Sequence, residues 1–262
     1  MFMSILRLSI LPALALTASS AFAAGVPDDC TQLIVGIAPD WNSIHGKLRL
    51  FERADARAPW KPVSPPTSVL FGKTGLAWGS GIAGQDEAGL RKTERDGRAP
   101  AGIFRIGKIY TYDAQLPRGA DYPSHQVTRA DAWIDDVQSP NYNKFVTIED
   151  VDNPPPWFEK QKMRHNDFAY RWLVEIRHNS DPPVPGHGSA IFFHIRRGVN
   201  RPTAGCTTMA ENELVNLITW LRAPRHPCYV LLPTEEYKNK WEHWHLPSPD
   251  EIMNGSQREA VR

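Results

Sequence analysis

A thiol and an imidazole stand close together in the chain at Cys206 and His194. As a pair they suit nucleophilic chemistry: the imidazole takes the thiol proton and the thiolate attacks an acyl carbon. Ala190–Ile195 is apolar on both alternating faces, as in a strand buried on both sides, with Ala190, Phe192 and His194 pointing the same way. A histidine in such a strand needs a hydrogen-bond partner. Arg196–Pro202 reads as a polar, turn-rich loop. Beyond it, Leu214, Leu217, Ile218 and Leu221 have the spacing of one helix face, and Thr208 and Glu211 that of a capping box. This places Cys206 just ahead of a helix N-terminus, whose partial positive charge favours thiolate. The amides of Ala204, Gly205 and Cys206 would form an oxyanion hole. A second reading of the same residues is a small buried thiol and a satisfied core histidine, and spacing alone leaves both open.

These residues need a frame of strands. Gln32–Ala38 reads as a buried strand and Lys47–Leu50 as a half-exposed one, joined by the turn-like Asn42–Gly46 into a hairpin. Further strands are expected at Val69–Phe71, Ile103–Tyr110, Ala132–Ile134, Phe145–Ile148, Trp172–Ile176 and Tyr229–Leu232. Helices are expected only at Glu211–Leu221 and Glu235–Trp244. Many short strands with frequent Gly and Pro between them imply a mainly β fold, sandwich or barrel-like, with one or two helices. The irregular stretches 153–158 and 178–188 are binding-loop candidates. His125, Tyr142 and His187 are candidates to line a pocket, and His187 is close enough to His194 in sequence to assist proton transfer.

The chain begins with a positive Arg7, an apolar run and Ala21-Phe-Ala23, the pattern of a cleavable signal peptide over residues 1–23. It is too short to span a bilayer, so no transmembrane segment is expected after cleavage. One catalytic domain is expected over 24–245, with a polar tail at 246–262. Removing the leader leaves acids and bases balanced, which gives no electrostatic case for nucleic acid. Basic residues do cluster at Arg196, Arg197 and Arg201, and Arg201 is a candidate carboxylate clamp. No pair of His or Cys residues has metal-ligand spacing, so neither metal nor cofactor is expected.

The stretch from His194 to Cys206 resembles the catalytic motif of L,D-transpeptidases of the YkuD type. Thr203, Gly205, Cys206 and the leading His194 match, whereas Ala204 stands where that family carries a second histidine, and the spacer is shorter. Upstream, Glu94-Arg-Asp-Gly-Arg-Ala-Pro-Ala-Gly-Ile-Phe104 is similar to another block of that family. Trp133-Ile-Asp-Asp136 and Ser139-Pro-Asn-Tyr-Asn143 are similar to a divergent proteobacterial branch. The resemblance implies a periplasmic cysteine acyltransferase acting on peptidoglycan stem peptides. Cys206 would be the nucleophile, His194 the acid/base, and Thr203 a neighbour of the substrate. A peptide hydrolase of the same fold, or a non-catalytic peptidoglycan-binding scaffold, is the alternative.

An exported chain with three mature cysteines leaves one thiol free, and a nucleophile must be that one. The expected bridge is Cys30–Cys228, each residue lying just before a predicted strand, with two unrelated buried cysteines as the alternative.

Overall fold

The unbroken apolar run Gln32–Ala38 forms β1, buried at every position. It turns back into β2 (His45–Glu52) as the antiparallel hairpin read from the sequence. The computed structural model describes residues 25–253, so the leader and residues 254–262 lie outside it. The chain continues through β3 (Lys61–Pro62), β4 (Thr67–Leu70), β5 (Leu76–Trp78), β6 (Ala99–Thr111) and β7 (Ser124–Gln126). Then come β8 (Asp131–Trp133), β9 (Phe145–Thr147), the short helix α1 (Phe158–Gln161), β10 (Trp172–Ile176) and β11 (Phe192–Ile195). After β11 come β12 (Thr207–Met209), α2 (Glu211–Trp220), β13 (Cys228–Pro233), α3 (Thr234–Lys240) and α4 (Pro249–Met253).

Eight strands close a mixed, barrel-like sheet in the order β1-β13-β6-β10-β11-β12-β4-β2, and the β1–β2 hairpin completes the ring. The fold is mainly β, as the sequence implies. Parallel pairing occurs where connections are long: β1 with β13, and β11 with β12. α2 buries Leu214, Leu217 and Ile218, the face expected from their spacing. Each such side chain contributes about 1.5–3 kcal/mol when withdrawn from water.

Three sequence expectations change here. First, Thr207–Met209 is not helical lead-in but the strand β12, parallel to β11 with Phe193 opposite Thr207 and His194 opposite Thr208. Ladder pairing with β11 and β4 outweighs local capping. α2 starts after Ala210 with no side-chain cap, and the Thr208 hydroxyl is buried without a partner. Cys206 is therefore not at a helix N-terminus. Second, the polar tail does not begin at 246. Leu246 and Ile252 are buried, and the Tyr237 hydroxyl donates to Pro247 O at 2.7 Å. Arg49 reaches Glu251 O, so the chain through α4 belongs to the fold. Third, Cys30 and Cys228 stand as free thiols, with no bond between them in this structure. They are nevertheless neighbours, because β1 and β13 run parallel with Leu33 opposite Cys228; the Cys30 thiol donates to Gln32 O at 3.2 Å and the Cys228 thiol to His226 O at 3.7 Å.

Outside the barrel wall, β8 and β9 pair with each other and pack with α1 around Ala132, Ile134 and Phe158. This small cap rests on Tyr110, Val127, Met163, Leu173 and Phe192. Among the described residues no helix is long and apolar enough to cross a membrane.

Candidate active site

Thr203 builds the turn that presents Cys206. Its amide donates to Phe71 O at 2.9 Å, and its carbonyl accepts from Lys73 N at 2.8 Å. Its hydroxyl accepts from Gly205 N at 3.0 Å and donates to Cys206 O at 2.6 Å, a side-chain turn of the kind Ser and Thr favour. A β-carbon on Gly205 would lie 2.9 Å from Arg98 O and 3.2 Å from Ile191 Cδ1, so the approach requires glycine. The Gly205 amide is committed to Thr203, which removes it from the oxyanion role read from the sequence.

Residues opposite each other in a parallel ladder share a sheet face, so Cys206, two residues before Thr208, falls on the face of Phe192 and His194. Phe193 and Thr207 take the other face, where both meet Tyr229. The half-buried Cys206 has its sulfur 3.5 Å from Ala190 O. Ala190, expected inside a strand, instead has φ +54°. That conformation costs a non-glycine residue about 1–2 kcal/mol. Asn143 holds it, accepting from Ala190 N and Trp133 Nε1 at 3.0 Å each and donating to His178 O and Asn179 O. Strain maintained this way is typical of functional sites.

His194 is 3% exposed. Its Nδ1 lies 2.9 Å from Ile195 O. A carbonyl only accepts, so Nδ1 carries the proton and Nε2 keeps its lone pair. Desolvation, the largest influence, pushes the ring down to about 4. Burial likewise pushes the Cys206 thiol up to about 11, opposed by the Phe192 amide and by the charges of Lys92 and Arg197. The resting pair is a neutral thiol and a neutral imidazole, not the ion pair that a helix N-terminus would favour.

Cys206 faces a cavity of about 210 Å³. The barrel supplies Leu173, Ala190 and Phe192. The cap and the segment after it supply Trp133, Asp135, Lys160, Gln161, Lys162, Met163, His165 and Tyr170. Two hydrogen bonds of 2.7 Å between Asp135 and Gln161 tie the cap together beside it. Sequence reasoning missed most of these residues, which come from separate segments with no shared spacing. Trp133 and Asp135 alone among the cap residues stood in a block quoted for its resemblance.

His194 itself does not line the cavity, and four further candidates lie elsewhere. Arg201 is exposed on its loop and does not line the cavity. His187 is exposed and borders a different cleft of about 720 Å³, while its carbonyl accepts from His178 Nε2. His125 pairs with Asp131 at 2.9 Å and packs on Phe145. Tyr142 is buried, with its hydroxyl donating to Glu94, which also accepts from Ser189 Oγ at 2.7 Å. Tyr142 therefore supports the segment entering β11 and does not face a ligand. Ala204 is exposed at the tip of the turn. No family model, curated protein or solved structure matches this chain.

Proposed function

We propose that the protein is an exported cysteine acyltransferase of the L,D-transpeptidase kind, acting on peptidoglycan stem peptides through a thioester on Cys206. One observation carries this reading. Cys206 opens onto a cavity on the same sheet face as His194, and the histidine's protonated nitrogen is fixed on Ile195 O. These residue types supply the nucleophile, base and orienting group that covalent catalysis uses.

The chemistry follows from the neutral resting pair. Cys206 Sγ attacks the substrate carbonyl as its proton passes to His194 Nε2. The carbonyl oxygen becomes an oxyanion, for which the amides of Cys206 and Ala204 remain the candidate donors, Gly205 being engaged. Collapse breaks the C–N bond, and the imidazolium gives its proton to the departing amine. A ring that burial makes a reluctant base is, once charged, a strong acid for that step. An amine from a second stem then attacks the thioester, His194 taking its proton as the thiolate leaves. The cavity suits a peptide carrying both charges: Lys160 and Lys162 for carboxylates, Asp135 for an ammonium, and Trp133, Tyr170 and Phe192 for the aliphatic parts.

Incubation with purified sacculi, followed by mass analysis of released muropeptides, tests this. New cross-linked species support transpeptidation. Trimmed stems with no new cross-links point to a hydrolase, with water as the acceptor. Unchanged muropeptides contradict both.

A further inference from the structure

Lys92 is an anomaly in the fold. Its side chain is 3% exposed, although burying an ammonium is costly unless the charge is compensated. Compensation comes from Asp96 Oδ1 at 2.6 Å and Thr93 O at 2.7 Å. Asp96 is itself fixed by the amides of Thr93 and Arg98, both at 2.9 Å. This turn abuts the nucleophile's own turn. Arg98 O lies 2.9 Å, and Lys92 Cε 3.7 Å, from the β-carbon position of Gly205, the residue before Cys206. On its other side the Lys92 stem presses on Gly188, with Cγ and Cε 3.1 and 3.2 Å from that residue's β-carbon position. A side chain at Gly188 would press on the lysine, whereas at Gly205 the lysine is in ordinary van der Waals contact.

We propose that the buried ammonium of Lys92, held by Asp96 behind Gly205, is the positive charge that supports the anion formed on Cys206. It would take the role that the sequence alone assigned to a helix N-terminus. The inference rests on Cys206 being the nucleophile. When the thiol proton moves to His194 Nε2, a negative charge appears on Sγ, and then on the substrate oxygen, in a site with little water. A fixed cation there stabilises both without reorganising. The charge of Lys92 lowers the thiol against the burial that raises it. The other ionisable groups around Cys206 are His194 on the neighbouring strand, Arg197 beyond it, and Asp135, Lys160, Lys162 and His165 across the cavity. Arg197 is spent on Asp167 at 2.5 Å, and the cavity groups face the space a substrate fills. Lys92 is the buried cation left for the thiolate, and it acts as a positioning residue.

The test is the pH dependence of Cys206 alkylation by iodoacetamide, with folding checked by circular dichroism. In Lys92→Met the alkylation midpoint should move up by about one pH unit, an about tenfold loss of thiolate at fixed pH. Lys92→Arg should recover most of that loss. Asp96→Asn, which removes the neutralising carboxylate and keeps the ammonium, should move the midpoint down. A folded Lys92→Met with the parent's midpoint overturns the proposal. So does an Asp96→Asn midpoint that moves up, which would mark the pair as a mere brace. Alkylation needs no stem peptide. A shifted midpoint in a protein that leaves sacculi untouched keeps the Lys92 assignment and removes the transpeptidase reading. An unshifted midpoint with intact cross-linking does the reverse.

Discussion

The ring of Tyr170 stands edge-on to that of His194, with centroids 5.2 Å apart, and the same tyrosine lines the cavity that Cys206 faces. It seals the imidazole from solvent, and Arg197 covers its outer face at 4.7 Å. Tyr170→Ala should let water reach His194 and raise the ring from about 4 toward its usual 6.5. The acid limb of the kcat/KM profile should then move to higher pH. His194→Ala should slow turnover by about 10²–10⁴-fold at every pH. An acid limb unmoved in Tyr170→Ala would show that the tyrosine does not set the base.

His178 and His194 are both buried as neutral rings, each held at about 4 by desolvation. The unfolded chain binds protons on both from about pH 6.5 downward, whereas the folded protein does not until about pH 4. Stability is therefore fully present above pH 6.5 and falls as pH drops to 4, by up to about 3 kcal/mol per ring. Urea midpoints at pH 7, 6, 5 and 4 measure this. A flat series would mean that the rings are accessible or already charged.

By the resemblance to L,D-transpeptidases, a carbapenem should acylate Cys206. Sγ adds to the strained lactam carbonyl, the ring C–N bond opens, and the nitrogen takes the proton from His194. The cavity of about 210 Å³ is smaller than the ~300–1,000 Å³ usual for such ligands, so the cap must give way. Intact mass should show one adduct, forming faster in Gln161→Ala, which loses both bonds to Asp135. No adduct on either protein would contradict an acylatable nucleophile at this position.

Cys30 and Cys228 are placed to oxidise. Their thiols interact, which lowers the pKa of Cys30 and raises that of Cys228. In an oxidising compartment they should form a disulfide enclosing nearly the whole domain, worth roughly 4–5 kcal/mol on chain entropy. Thiol titration of the unfolded, unreduced protein should find Cys206 alone. Three free thiols would refute the bridge.

The runs that became β1 and β10 are apolar enough to be read without knowledge of their partners, and their bounds match the structure. That Cys206 and His194 fall on one sheet face follows from a single loop joining the parallel strands β11 and β12, although the ladder sets His194 opposite Thr208 and not Cys206. β12 was not legible: Thr207–Met209 is short and polar, and only ladder partners far away in the chain make it a strand. That single misreading produced the helix-terminus account of the thiolate. Tyr170, Asn143 and Lys92 were illegible for a related reason. Each reaches the site from a distant segment, and each owes its importance to burial and to contacts that no local spacing encodes.

The central claim is a covalent acyl intermediate on Cys206, and intact mass spectrometry of the protein incubated with a stem tetrapeptide tests it most directly. The parent should gain the mass of the acyl group, lose it to hydroxylamine as a thioester does, and pass it to an added amine acceptor. Folded Cys206→Ala should gain nothing and leave sacculi unchanged. Undiminished cross-linking or trimming by Cys206→Ala would contradict the account.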